Sequence, residues 1–304
     1  MCSGDGMAPA MKPSIRDGLK NAALTPLLFL GACSSGVLDP HGPIGGAERT
    51  ILFNATVIML AVVVPVIGCT CLFAWWFRAG NRRARRLPDW SYAGRIEFVV
   101  WAIPSLVILF LGGIAWIGSH DLDPQAPLRS SSSPVDIEVV SLDWKWLFIY
   151  PSFGVASVNR LVVPVGAPLR FRLTSAGVMN SFFIPQLGSQ IYTMAGMTTQ
   201  LNLQASEPGS FDGLSAQFSG DGFSDMRFEV AAVQPQAFTQ WIAATRAHGG
   251  SLDKDEYASL VRPSRRDPPL TFGAVSGGLF EAIVASPGAA PRDAHAHAPS
   301  EIPR

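Results

Sequence analysis

Val135-Asp136-Ile137-Glu138-Val139 decides the architecture of this chain. Its apolar residues fall on every second position, with acids between them. Successive side chains of a strand point to opposite faces, so a period of two reads as a strand with one buried face. The same period recurs downstream. Leu169, Phe171 and Leu173 alternate with Arg170, Arg172 and Thr174. Leu201 and Leu203 alternate with Gln200, Asn202 and Gln204, and Met226, Phe228 and Val230 with Arg227 and Glu229. Turn residues separate these runs at Gly154, Pro164–Pro168, Pro185–Gly188 and Pro208-Gly209. Several short strands of this kind predict a β-sandwich or Greek-key barrel over residues 135–233.

Upstream the pattern changes. Asp121–Pro134 is rich in Ser and Pro and has no period, as a linker would. Before it lie two apolar runs, Ile51–Phe77 and Ile96–Ile117. Each is long enough for a hydrocarbon core of ~30 Å. Trp75 and Trp76 close the first run, and Trp101 and Trp116 belong to the second; tryptophans favour the membrane interface. Pro65 and Pro104 lie inside the runs, where membrane helices tolerate them. Gly112 and Gly113 suit close packing on partner helices. The connection 78–95 carries Arg78, Arg82, Arg83, Arg85, Arg86 and Arg95. Positive charge marks the cytoplasmic side, so residues 51–120 read as a transmembrane hairpin with both ends outside. Glu97 sits at the cytoplasmic start of the second helix, where a carboxylate needs water or a partner. One reading makes it an interfacial anchor paired with Arg95.

The N-terminus supports the same topology. Lys12, Arg16 and Lys20 precede a short apolar run, Ala22–Leu30, and then Leu30-Gly31-Ala32-Cys33. A basic segment, a short apolar core and a small residue before the cut read as an export signal over residues 1–32. The ending is similar to a bacterial lipobox, which implies a lipidated Cys33 as mature N-terminus and an exported segment 33–50. An uncleaved export segment with an incidental cysteine is the alternative.

Beyond Val233 the period becomes helical. Pro235 suits a first helical position, and Phe238, Trp241, Ile242 and Thr245 mark one face. Asp253 and Glu256 have capping-box spacing ahead of Tyr257 and Leu260. Ser276 is placed to cap a third helix containing Leu279, Phe280, Ile283 and Val284. Residues 234–284 therefore read as a helical arm. Residues 285–304 are Pro/Ala-rich and read as a disordered tail, and His295 and His297 as part of that tail rather than a metal site.

Composition narrows the function. The 304 residues carry no formal net charge, and 15% of them are charged. Soluble domains average about 25% charged residues, and a neutral chain is a poor partner for nucleic acid. The cysteines are Cys2, Cys33, Cys69 and Cys71; the histidines are His41, His120, His248, His295 and His297. None falls between Asp121 and Ala247. Copper electron-transfer sites need thiolate and imidazole ligands, so residues 121–247 cannot build one.

Phe211–Met226, FDGLSAQFSGDGFSDM, gives that absence a meaning. Its spacing fits Cys-x-Glu-x-Cys-x-x-x-His-x-x-Met, the loop that holds the binuclear copper centre in subunit 2 of cytochrome c oxidases. Ser215 and Ser219 fall on the cysteine positions, Gln217 on the glutamate and Phe223 on the histidine; Met226 alone is retained. Upstream, Val178-Met179-Asn180-Ser181 puts Asn180 where that family has its other histidine. Together with Asp143-Trp144-Lys145-Trp146, Val178–Gln190 and Tyr192–Met197, this resembles the heme-copper oxidase subunit 2 family, in the copper-free branch of bo-type ubiquinol oxidases. The resemblance runs from about Cys33 to at least Val284.

The resemblance implies a two-helix transmembrane hairpin followed by an all-β cupredoxin-like Greek-key barrel with a small C-terminal helical arm. It implies a bacterial inner-membrane subunit with an outer β domain and no catalytic residue of its own. Heme b, heme o and copper would reside in subunit 1. Subunits 1, 3 and 4 would be its partners, membrane lipid its surroundings and ubiquinol the substrate of the complex. Glu97 would lie near the mouth of a proton path into subunit 1. Trp144 and Trp146 would lose their electron-carrying role and pack at the membrane-facing side of the domain or against subunit 1. Met194, Met197 and Met226 read as packing filler, and Asn180 as a local hydrogen-bonding residue. Two other readings remain: a copper-bearing subunit 2, and a copper-free lipoprotein that scaffolds envelope proteins or binds a ligand.

Overall fold

The computed structural model describes residues 36–85, 89, 91–128, 130 and 132–286. Cys33 and the export signal, and His295 and His297 of the tail, lie outside the described residues. Among the described residues two long helices come first, α1 (Pro43–Trp76) and α2 (Gly94–Asp121). α1 starts eight residues before the apolar run. Pro43 occupies its first turn, where a missing N–H costs nothing. The apolar stretch of each helix is hydrophobic on all sides and exposed, as a span waiting for lipid or partner helices is.

Twelve strands follow. β1 (Val135–Leu142), β2 (Lys145–Tyr150), β3 (Val155–Val158), β5 (Leu169–Ser175) and β8 (Thr199–Leu203) share a sheet with β11 (Gly250–Leu252) and β12 (Leu270–Val275). β4 (Arg160–Pro164), β6 (Asn180–Ile184), β7 (Gly188–Thr193), β9 (Gly209–Ser215) and β10 (Arg227–Val233) form the second. The strand orders are β11-β12-β3-β2-β1-β5-β8 and β4-β10-β9-β6-β7. The chain changes sheets at Asn159, whose φ of 56° is one that Asn accepts more readily than most residues. Its side-chain oxygen accepts from Trp146 N at 2.9 Å.

The two sheets enclose an aromatic core. Phe182 and Phe228 stack at 5.1 Å, and Trp146 meets both edge-on at 5.3 and 5.7 Å. The Tyr150 hydroxyl donates to the Val162 carbonyl at 2.9 Å and accepts from Val162 N at 3.0 Å.

The arm contains α3 (Pro235–His248), α4 (Lys254–Leu260) and α5 (Leu279–Ala285), and adds strands β11 and β12 that its periodicity did not announce. Asp253 caps α4 by accepting from Asp255 N and Glu256 N. Ser276 does not cap α5; Gly278 holds that position in the left-handed region. The arm covers the outer face of β1 and β2. Leu252, Leu260, Phe272 and Phe280 form a second core there with Val140, Leu142, Leu147 and Ile149.

α1 is docked onto the barrel before it enters the membrane. His41 N donates to Gln186 O at 2.7 Å and Gly45 N to Leu187 O at 3.0 Å. At Gly42 a Cβ would stand 2.4 Å from Gln204 O, so glycine is what permits this approach. One and a half turns on, Glu48 accepts from the Ser189 hydroxyl. α1 therefore runs along β7 from its Gly188 end toward Thr193. The end of the barrel carrying Asn180, Thr193 and Ser215 faces the way the membrane helices project.

Candidate functional site

The positions singled out in the sequence converge at that end. Asn180 begins β6 and Ser215 ends β9, and both are buried. Ser215 Oγ lies 3.1 Å from Asn180 Oδ1 and 3.2 Å from Gln217 O; its one hydrogen serves either. Asn180 Nδ2 donates to Val178 O at 3.2 Å. Beneath them, Thr193 Oγ1 donates to Asn180 O at 3.4 Å and lies 2.8 Å from Ser141 Oγ. Ser141, Thr193, Asn180 and Ser215 thus form a buried string in which each polar side chain satisfies another. Met226 is fully buried, with its sulfur 4.0 Å from Ser219 Oγ. Phe223 opens a single 3-10 turn and packs its ring 5.7 Å from Phe218.

A copper centre here would need soft anionic and imidazole donors. These positions offer hydroxyls, amides, a phenyl ring and one thioether, so the donor set does not fit the metal.

What closes the loop comes from outside it. Trp144, in the two-residue turn between β1 and β2, takes a φ of 65° and lays its indole across Gly220 and Gly222. A Cβ on Gly222 would stand 2.3 Å from Trp144 Cδ2. The indole N–H donates to Ser219 O at 3.1 Å, and the Arg265 guanidinium lies 5.2 Å from the ring centre. Trp144 therefore does pack at the membrane-facing end. Trp146 does not; it is wholly inside the core, and its buried Nε1 has no acceptor among the described residues. An unmade hydrogen bond of that kind costs about 1–3 kcal/mol.

The arm supplies the second grip, which the sequence reading missed. Lys145 is buried, pairs with Asp267 at 3.0 Å, donates to Arg262 O at 3.0 Å and also bonds Ser264. Burial disfavours the Asp267 carboxylate, but bonds from Ser264 and Lys145 and the Lys145 charge outweigh it and hold the pKa below the usual value. Arg265 pairs with Asp221 at 3.6 Å and Arg266 with Asp225 at 3.0 Å, both acids of the loop. The signal was available: Arg262-Pro263-Ser264-Arg265-Arg266-Asp267 is a dense charge cluster in a neutral chain.

The comparisons with known proteins agree with this assembly. Residues 153–233 match the family model "Cytochrome C oxidase subunit II, periplasmic domain", and residues 246–286 match "COX Aromatic Rich Motif". The chain is 51% identical over 266 residues to cytochrome bo(3) ubiquinol oxidase subunit 2 of Pseudomonas aeruginosa, covering 88% of this chain and 80% of that protein. This chain belongs to the subunit 2 family of ubiquinol oxidases. A ubiquinol oxidase subunit 2 from Acetobacter aceti is 48% identical over 264 residues, 86% of each chain. A quinol oxidase subunit 2 from Bacillus cereus is 34% identical over 250 residues, 80% of this chain and 86% of that one. The aromatic-rich motif spans the arm segment that carries Arg262–Asp267.

Glu97 lies apart from this site, exposed in the first turn of α2. Residues two apart on a helix do not face each other, so Arg95 is not placed as its partner.

Proposed function

We propose that this chain is the membrane-anchored subunit 2 of a terminal ubiquinol oxidase that oxidises quinol, reduces dioxygen to water and translocates protons. The observation that carries this reading is the remnant loop, in which Ser215 and Asn180 bond to each other where thiolate and imidazole ligands would be needed. Cytochrome c is water-soluble and requires an exposed metal to accept its electron. Quinol dissolves in the bilayer and reaches a membrane subunit directly. A quinol oxidase therefore keeps the outer domain without its electron relay. The names of the relatives support the same donor.

In this reading the chain caps subunit 1 on the outer face and assists assembly. Val178, Met179, Met197 and Phe218 are exposed at the membrane-facing end and would meet it. Heme b, heme o and copper belong to subunit 1, with subunits 3 and 4 completing the complex. Both mature termini lie outside, Cys33 carries lipid, and Glu97 stands at a proton entry on the cytoplasmic side.

Purification of the complex tests the reading. Oxygen consumption should be rapid with ubiquinol and absent with reduced cytochrome c. Turnover with cytochrome c, or stoichiometric copper in the outer domain, refutes it. Failure of any heme-bearing subunit to co-purify in mild detergent would favour the free lipoprotein scaffold, which the named relatives do not support. Glu97→Ala should slow quinol turnover at unchanged heme content; full turnover leaves Glu97 an anchor.

A further inference from the structure

A cavity of about 540 Å³ lies between α4 and α5 of the arm, away from the remnant loop. That size falls within the range of about 300–1,000 Å³ usual for ligand sites. Tyr257, Val261, Leu279 and Ile283 give it apolar walls, and Lys254 and Arg262 also line it. Among the described residues neither cation pairs with an acid, whereas Arg265 and Arg266 beside them each do. Asp253, Asp255 and Glu256 stand on the same turn of chain but do not line the cavity. Ala176, in the turn between β5 and β6, forms part of the wall. That turn is next to Asn180, at the barrel end that faces the membrane. The cleft thus combines apolar walls, two unpaired cations and a position on the outer-leaflet side of the domain.

We propose that this cleft holds one acidic membrane phospholipid, with its phosphate on Lys254 and Arg262 and part of an acyl chain against Val261, Leu279 and Ile283. The proposal rests on the membrane placement given above and adds a ligand to it. A neutral lipid would leave the two cations unanswered, and free phosphate would leave the apolar walls wet. The lipid would tie the arm to the bilayer and so hold Arg262–Asp267 against the remnant loop.

The test uses the whole purified complex in nanodiscs of phosphatidylcholine doped with phosphatidylglycerol that carries a diazirine in its acyl chain. After illumination, adducts should appear by mass spectrometry on peptides covering 254–262 and 279–286. Lys254→Gln with Arg262→Gln should lower that labelling by about tenfold. Ala282→Trp, which fills the cleft and keeps both charges, should abolish it. Equal labelling by diazirine phosphatidylcholine, unchanged labelling in either variant, or suppression by inorganic phosphate alone overturns the proposal. Labelling of a partner subunit's peptide from a photoreactive residue at Ala282 also overturns it. Heme content and quinol turnover of the same preparation report separately on the oxidase reading.

Discussion

Glu138 should make the outer domain lose stability as pH rises toward neutrality. It sits on β1, 7% exposed, beneath α5. Arg172 donates to it at 2.9 Å but also to Glu281 at 3.2 Å, and its guanidinium lies 4.9 Å from the Phe280 ring centre. Burial pushes the Glu138 pKa up from 4.5 to about 7, Glu281 and Asp136 add to the rise, and the shared Arg172 only partly opposes it. The folded chain therefore holds this proton more tightly than the unfolded one. The stability it confers is complete below about pH 4.5 and is lost as pH climbs through about 7. At about 1.4 kcal/mol per pH unit, the loss amounts to about 3 kcal/mol at most. Glu138→Gln keeps an acceptor for Arg172 and cannot ionise. Thermal unfolding of the full chain in detergent, followed by tryptophan emission between about pH 5 and 8, separates the two. At about 2–4 °C per kcal/mol, wild type should fall relative to the variant by about 5–10 °C across that range. Parallel curves refute the argument. Such curves would mean that Arg172 prevails and Glu138 is already ionised at pH 5 in the folded chain.

The clamp on the remnant loop gives further outcomes. Gly222→Ala drives a methyl into the Trp144 indole and should cost about 1–3 kcal/mol, with red-shifted emission from the displaced ring. Asp267→Ala leaves Lys145 buried and unpaired, a loss of about 3–5 kcal/mol. Replacing both by apolar residues should recover most of it in a chemical-denaturation series. Because the Asp267 pKa is lowered, its contribution is present at neutral pH and fades as pH falls through the carboxylate range. Arg265→Gln with Arg266→Gln removes two largely exposed pairs and should cost under about 1 kcal/mol each. A larger loss would mean the cation over Trp144 matters more than the indole itself. Gly42→Ala collides with Gln204 O and should free the barrel from α1, giving roughly tenfold faster proteolysis within 121–134.

The strand pattern was legible mostly where one face of a strand meets solvent; β1 alternates too, although Glu138 on its outer face is buried beneath the arm. Leu169–Ser175 alternates in sequence and in burial, because β5 has a wet face along part of its length. Trp146–Tyr150 shows no alternation, because β2 is buried on both faces, by the aromatic core inside and by the arm outside. The arm's own strands escaped notice for a related reason. β11 is three residues long, and β12 pairs with β3 across more than a hundred positions, so neither carries a local period. The remnant positions were legible as a spacing, and Asn180, Ser215 and Met226 do meet. The spacing could not say what holds them there, since Trp144, Lys145 and the arm reach the loop through tertiary contacts alone.

That grip explains how the loop keeps its place without a metal. A bound ion would fix a loop through several short bonds to one centre. Here the fixing is distributed, and magnitudes rank its parts. Arg265 and Arg266 bond to acids near water, where such pairs contribute little. The Ser215–Asn180 bond is neutral and contributes about 1 kcal/mol. Lys145 is buried while Asp267 is partly exposed, and breaking the pair is costly because it strands the Lys145 charge; Trp144 covers backbone that any other residue at Gly222 would push away. The pair joins the barrel to the arm, and the two residues just before Asp267, Arg265 and Arg266, reach the loop. The shape of the loop is therefore held chiefly by Trp144 from the β1–β2 turn, and the arm, a segment belonging to the aromatic-rich motif, braces it through the Lys145–Asp267 pair and two weak pairs. Displacing the Trp144 indole should therefore unfasten the loop more than losing both arginine pairs.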